Sequence, residues 1–115
     1  MSEASSPAAP GSSPVVVTAV FTPNPGSFDT VTEVLSRAIA EVHREPGCLL
    51  YAIHRDPQDR IIMIEKWESA ELLDDHGGGA AVAQLNREID GLLAEPVVVT
   101  RLVPIAAGTP SQGQL

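Results

Sequence analysis

The sequence predicts a single α+β domain, in which one four-stranded antiparallel sheet carries all of its helices on one face. Four segments rich in β-branched and apolar residues are typical of strands. Three further segments repeat apolar residues at helical spacing. One helical segment separates the first strand from the second and two separate the third from the fourth, while only a short turn joins the second strand to the third.

The first half of the domain is predicted to contain a strand, a helix and a second strand. Val15–Phe21 consists almost entirely of β-branched and apolar residues, which is typical of a strand. Ser27 is of a residue type that caps helices, and the helix after it presents an apolar face until Pro46-Gly47 ends it. Cys48–Arg55 is the second strand, with side chains alternating between its two faces.

The second half is predicted to contain a strand, two helices and a last strand. Ile61–Trp67 forms a hairpin with the strand before it. Ser69 caps a short helix that stops at Gly77–Gly79, and a third helix covers about Ala80 to Leu93. The last strand is Val97–Ile105. This order of elements resembles the ferredoxin-like split βαβ arrangement.

The strands have apolar residues on both faces, whereas a sheet with one wet face should alternate apolar and polar residues. Examples are Leu49 with Leu50, Ile61 with Ile62, and Val97 with Val98. The chain has no further helix to cover the second face. We therefore expect a second copy of the sheet to cover it, which gives a homodimer that closes an α+β barrel.

The two ends of the chain differ from the domain in composition. Residues 1–14 are mostly Ser, Ala, Pro and Gly with almost no apolar bulk, and residues 106–115 have a similar composition. Such segments bury too little surface to offset the entropy of the chain. We expect both to be disordered tails that flank one domain at residues 15–105.

Composition also restricts the partners and the location of the protein. The formal net charge is −8 and the seven cations are scattered, whereas nucleic-acid binding needs clustered Lys and Arg. No segment approaches the roughly 20 apolar residues of a membrane span, and the N-terminus lacks the basic start and apolar core of a signal peptide. The single cysteine, Cys48, is consistent with a reducing compartment. We expect a cytoplasmic protein without nucleic-acid or membrane partners.

The stretch from Glu45 to His76 carries the most specific pattern. A Pro-Gly helix stop, a hairpin ending on Trp67, and Trp-Glu-Ser-x-x-x-Leu-x-x-His at residues 67–76 follow one another. This layout resembles the antibiotic biosynthesis monooxygenase (ABM) family of dimeric α+β barrels, and the resemblance covers about residues 15–105. It implies a cofactor-independent monooxygenase that oxidises a small phenolic, quinol or polyketide-type aromatic substrate with O₂.

The resemblance also implies roles for particular residues. His76 is a candidate general base, because imidazole exchanges protons near neutral pH. Arg87 stands where anthrone-type members carry an Arg that holds the substrate oxygen. Apolar walls would come from Leu35, Met63, Trp67, Leu73 and Leu85. The alternatives are a His76 that only stabilises the end of its helix and an Arg87 that pairs with a surface acid.

The chain also departs from the anthrone-type pattern. Met63 stands where that group has Asn, and Leu73 where it has Tyr. The three histidines fall on three different elements, which predicts no metal site, and the first strand lacks the Asn of haem-degrading relatives. Because these two polar residues of the anthrone-type pattern are missing, the alternative function is a non-enzymatic small-molecule-binding or stress-response domain of the same fold.

Overall fold

The computed structural model of the chain describes residues 13–115. Its elements are β1 (Val15–Phe21), α1 (Phe28–Val42), β2 (Cys48–Arg55), β3 (Ile61–Trp67), α2 (Ala70–Gly77), α3 (Ala80–Ile89) and β4 (Val98–Leu102). The strands form one antiparallel sheet in the order β2-β3-β1-β4. The predicted α+β class and ferredoxin-like split βαβ arrangement are thereby confirmed. Within residues 13–115, no helix has the length and apolar character that crossing a membrane requires.

Two elements are shorter than the sequence pattern predicts. α3 ends at Ile89 instead of near Leu93, because Gly91 adopts a φ of +82° and turns the chain. β4 ends at Leu102, which pairs with Val16, and the partner strand β1 begins only one residue before that pair, so little strand is left for a longer β4. Strand boundaries therefore depend on the partner strand as well as on local propensity.

The core lies between the three helices and one face of the sheet. Alternate residues of β1 and β3 point to this face, and α1 contributes Val31, Val34, Leu35 and Val42 to the core. The residues that are most completely buried there include Val17, Val31, Leu35, Val42, Ile61, Met63 and Trp67. Two predicted cavity walls, Leu35 and Met63, therefore belong to the packed interior.

The second face of the sheet carries no helix. Most of its residues are apolar, namely Val16, Val20, Leu50, Ala52, Ile62, Ile64, Val98 and Leu102, and the polar residues among them are Thr18, His54, Lys66 and Thr100. Val98 is 57% exposed and Leu102 is 43% exposed in the single chain. The face is thus mostly apolar, as the sequence pattern predicts, and the homodimer that would cover it stays a prediction.

The predicted tails are placed only in part. Residues 1–14 lie outside the described residues except for Ser13 and Pro14. Residues 106–115 contain no helix or strand. Their disorder stays a prediction.

Candidate active site

A cavity of about 270 Å³ lies between the sheet and helices α2 and α3. Its apolar walls are Val17, Ala19, Phe21, Leu73, Val82 and Leu85. Its polar lining is Tyr51, Glu65, His76, Asn86 and Arg101. A small apolar space with a few convergent polar groups is the usual form of a small-molecule site.

Helix α2 places His76 at the cavity wall. The side chain of Ser69 accepts a hydrogen bond from the backbone N–H of Leu72 at 3.2 Å, so the predicted cap starts this helix. Two turns later His76 faces the sheet, where it is 7% exposed. Its imidazole packs on the Trp67 ring, with the ring centroids 4.5 Å apart. The helix thus holds a titratable side chain in a nearly closed apolar environment.

A carboxylate from another part of the chain binds this imidazole. Oε1 of Glu45 lies 2.8 Å from Nδ1 of His76. Since a carboxylate only accepts hydrogen bonds, Nδ1 is the donor, and in a neutral imidazole Nε2 then keeps its lone pair. An imidazole in this tautomer has a basic nitrogen available on its other edge.

The Pro46-Gly47 turn brings Glu45 to His76. Gly47 has a φ of +82°, which favours glycine, and a Cβ there would collide with the side chain of Leu72 on α2. The backbone N–H of Glu68 donates to the carbonyl of Gly47 at 2.9 Å. The turn is thereby attached to the start of α2, which fixes the distance between the acid and the imidazole.

A second buried acid lies on β3. The Nε1–H of Trp67 donates to Oε1 of Glu65 at 2.9 Å, and Glu65 is 6% exposed. Burial raises the pKa of Glu65, while the hydrogen bond from Trp67 and the imidazole of His76 act in the opposite direction. Tyr51 faces Glu65 across β2 and β3, and burial together with the nearby carboxylates raises the pKa of its hydroxyl. In both groups burial thus acts against the ionised form.

Arg101 supplies a cation to the cavity lining. It pairs with Val17 of β1, and Val17 pairs on its other side with Glu65, so Arg101 and Glu65 lie in one row across the sheet. Its Nη2 lies 2.6 Å from Oδ1 of Asp74, in an ion pair that is largely exposed. The guanidinium thus stands at the outer end of the polar row and closer to solvent than Glu65.

The predicted site residues separate into three groups. His76, Leu73 and Leu85 line the cavity. Trp67, Met63 and Leu35 are buried in the core beside it. Arg87 is exposed on α3 and is not part of the cavity lining. The sequence reasoning missed Tyr51, Glu65 and Arg101 in the lining, and Glu45 behind His76.

A signal for Glu65 was present in the sequence. Every second residue of β3 points to the same face of the sheet, and on one face these residues are Ile61, Met63, Glu65 and Trp67. Glu65 is therefore the one carboxylate in an otherwise apolar row. Such a position predicts a buried acid with a hydrogen-bond partner.

The other two histidines do not join His76. His54 lies on the helix-free face, where Nδ1 is 3.2 Å from the carbonyl oxygen of Ile62. Nε2 of His43 is 3.0 Å from the carbonyl oxygen of Tyr51. Within residues 13–115, no group of three or more His, Cys, Asp or Glu side chains is placed to hold a metal ion.

The sequence profile of the family described as antibiotic biosynthesis monooxygenase matches residues 14–88. The chain belongs to the ABM family. The matched region contains Glu45, Glu65 and His76, whereas Arg101 lies beyond it. The resemblance found in residues 45–76 is therefore confirmed.

Individual relatives agree with this assignment. Rv0793 of Mycobacterium tuberculosis, provisionally named a monooxygenase, is 30% identical over 94 residues, covering 81% of this ABM chain and 93% of the relative. Its solved structure has a TM-score of 0.78 at 28% identity, over 84% of this chain and 100% of that one. PA3566 from Pseudomonas aeruginosa has a TM-score of 0.75 at 28% identity, over 83% and 97% of the two chains. These relatives establish the fold and family but specify no quinol or anthrone substrate.

Proposed function

We propose that this ABM protein is a monooxygenase that oxidises a small phenolic, quinol or polyketide-type aromatic substrate with O₂ and without a cofactor. The observation that carries the proposal is the buried imidazole of His76. Its Nδ1 is held by Glu45 at 2.8 Å, at the wall of an otherwise largely apolar cavity. This is the arrangement that a general base for a phenolic hydroxyl requires.

The chemistry follows from the electron demand of O₂. Nε2 of His76 removes the hydroxyl proton, and the resulting phenolate is electron-rich enough to react with O₂. For a hydroquinone, the ring supplies four electrons and gains one oxygen atom, while the second oxygen atom leaves as water with two hydrogens. The products are a hydroxyquinone and water, so no external reductant is needed.

The cavity contributes size selection and exclusion of water. Its volume of about 270 Å³ is just below the range of about 300–1,000 Å³ that holds drug-sized ligands, which favours compounds of one or two rings. Phe21, Leu73 and Leu85 supply apolar walls, and Glu65 and Tyr51 supply hydrogen bonds at the sheet. A dry site strengthens every electrostatic interaction with the developing anion.

Two cations are candidates for holding that anion. The family resemblance favours Arg87, whose side chain is exposed on α3. The cavity geometry favours Arg101, which lines the space and shares a row with Glu65. We propose Arg101 as the stronger candidate and retain Arg87 as the other arm of the test.

Oxygen consumption by metal-stripped protein with a panel of hydroquinones tests the function. We expect His76→Ala to lower the rate by about 10²–10⁴-fold and to flatten its pH dependence, because the base is lost. The two single variants Arg101→Ala and Arg87→Ala serve as matched controls for each other. Wild-type rates in all three variants would contradict the assigned roles.

The absence of two polar residues of the anthrone-type pattern favours the alternative function, a non-enzymatic binding or stress-response domain. Met63 replaces a polar residue of the anthrone-type pattern and is fully buried, and Leu73 gives the cavity an apolar wall in place of a hydroxyl. Under this alternative the wild type binds small aromatics, seen as quenching of Trp67 fluorescence, but consumes no O₂ with any of them.

A further inference from the structure

His76 separates two spaces of different character. On one side is the inner cavity of about 270 Å³. On the other is an outer groove of about 380 Å³, whose lining includes Glu41, Glu45 and Asp75. His76 is shared by both linings, whereas Glu45 belongs to the groove alone. The imidazole thus borders both spaces.

The orientation of the ring assigns one nitrogen to each space. Nδ1 faces Glu45 and therefore the outer groove. In the part of the chain that the structure describes, Nε2 has no protein hydrogen-bond partner, and the ring edge that carries it is the one left for the cavity. Trp67 packs on the ring with centroids 4.5 Å apart, and Tyr51 packs at 5.3 Å with an interplanar angle of 74°. These contacts on two sides hold the ring in this orientation.

We propose that Glu45 is a positioning residue that fixes the Nδ1–H tautomer of His76 and connects the buried base to solvent through the outer groove. The side chain of Glu45 is 24% exposed while that of His76 is 6% exposed, so the carboxylate reaches water that the imidazole does not. This inference rests on the proposed function, in which His76 is the base. A ligand that fills the cavity would separate Nε2 from solvent, while Glu45 would stay in contact with solvent in the outer groove.

The proton balance of this connection is closed. The substrate hydroxyl gives its proton to Nε2, and the Nδ1 proton passes to the Glu45 carboxylate and then to water. At the end of the turnover Nε2 gives its proton to the oxygen that leaves as water, and Nδ1 recovers a proton from solvent by the same path. No electrons move through the pair.

Kinetics of Glu45 variants provide the first part of the test. We expect Glu45→Gln to lower kcat by about 10–100-fold, which is the loss seen when a carboxylate that orients a metal-bound histidine is replaced. KM should stay unchanged, because Glu45 is not part of the cavity lining. In Glu45→Ala, added formate should restore much of the rate, since it fits the space of the lost carboxylate. The amide of Glu45→Gln fills that space and should block the rescue. Glu41→Ala is the control, because Glu41 lines the same groove, is exposed and pairs with Arg44 at 3.5 Å.

The pH profile adds a readout that a purely structural role would not change. We expect the acidic limb of the profile to change in Glu45→Gln and to stay as in the wild type in Glu41→Ala, because only Glu45 contacts Nδ1 of His76. The other titratable or charged groups in the two linings that share His76 are Tyr51, Glu65 and Arg101 from the sheet, Glu41 from α1 and Asp75 from its own helix. All of them are unchanged in Glu45→Gln, which assigns the change in the profile to Glu45.

Nitrogen NMR of the histidine side chains decides the inference even if no quinol is oxidised. We expect the wild type to show His76 with a proton on Nδ1 and a bare Nε2, and Glu45→Ala to lose this preference while retaining the circular dichroism of the wild type. A wild-type His76 protonated on Nε2, or a tautomer unaffected by Glu45→Ala, overturns the inference. Absence of O₂ consumption in the wild type, with the expected tautomers, overturns only the proposed reaction.

Discussion

Replacement of Trp67 tests the packing of the core and the site together. Trp67 is 0% exposed at the end of β3. Its ring packs on His76 with centroids 4.5 Å apart and meets Tyr51 edge-on at 6.4 Å. Its Nε1–H donates to the buried Glu65 at 2.9 Å. One substitution therefore removes a core side chain, an aromatic contact and a hydrogen bond.

The expected loss follows from these contacts. Truncation of a fully buried Trp to Ala costs about 3–5 kcal/mol through lost transfer energy and the cavity left behind. The hydrogen bond to the carboxyl of Glu65 adds up to about 3 kcal/mol when its acceptor is left buried without a donor. Trp67→Phe keeps most of the apolar volume, so it should cost chiefly the hydrogen-bond part, about 1–3 kcal/mol.

Urea unfolding followed by far-UV circular dichroism measures these losses, since Trp67 is the single tryptophan and fluorescence cannot follow its own removal. Protein concentration must be held constant, because dimerisation would link it to stability. A double-mutant cycle of Trp67→Phe with Glu65→Gln isolates the hydrogen bond. A cost below about 1 kcal/mol for Trp67→Ala would refute the buried placement and the contacts built on it.

The remaining predictions concern assembly, pH and backbone. Sedimentation at micromolar concentration should give a mass of twice 12.1 kDa, because we expect a dimer interface above about 2,000 Å². Val98→Glu should dissociate this dimer, and a folded wild-type monomer would contradict the barrel. Because the folded state raises the pKa of Glu65, the contribution of this residue to stability is fully present below the unfolded pKa of 4.5 and is lost as pH rises through the folded pKa. Thermal melts should therefore show Glu65→Gln gaining stability over wild type as pH rises, and parallel pH curves would contradict this. Gly47→Ala should lose clearly more stability in urea unfolding than Gly26→Ala, because both have positive φ but only Gly47 has Leu72 in the way; equal losses would remove the steric argument.

The fold was largely predictable because its signals are local. The β-branched and apolar runs of β1 and β3 and the helical spacing of α1 identify their elements without tertiary information. Ser69 was correctly predicted as a cap, since its hydroxyl needs only a neighbouring N–H. Ser27 precedes α1 but makes no cap hydrogen bond with its side chain, which shows that residue type at a helix start does not fix rotamer geometry.

The site was less predictable because it depends on pairing between distant segments. Arg101 reaches the row of Glu65 only through the register of β4 on β1, which no local pattern in β4 specifies. The placement of Arg87 is different, because periodicity already argued against a cavity position. Leu85 and Ile89 face the core, and a residue two positions from each lies about 200° round the helix. The family resemblance implied a cavity position for Arg87, whereas the helical periodicity of α3 implies an exposed one. The structure places Arg87 where the periodicity does.

The stretch from Glu45 to His76 shows why a family pattern can mark a site without naming its chemistry. Its first and last residues are in contact at 2.8 Å, and between them lie the turn at Gly47 and the hairpin that ends on Trp67. The segment therefore folds so that its two ends, Glu45 and His76, are held in contact. The cavity in front of that pair is lined by β1, α3 and β4 as well, and under the proposed function their side chains would select the substrate. Under the proposed function, substitutions in those other walls would change the substrate without changing Glu45 or His76.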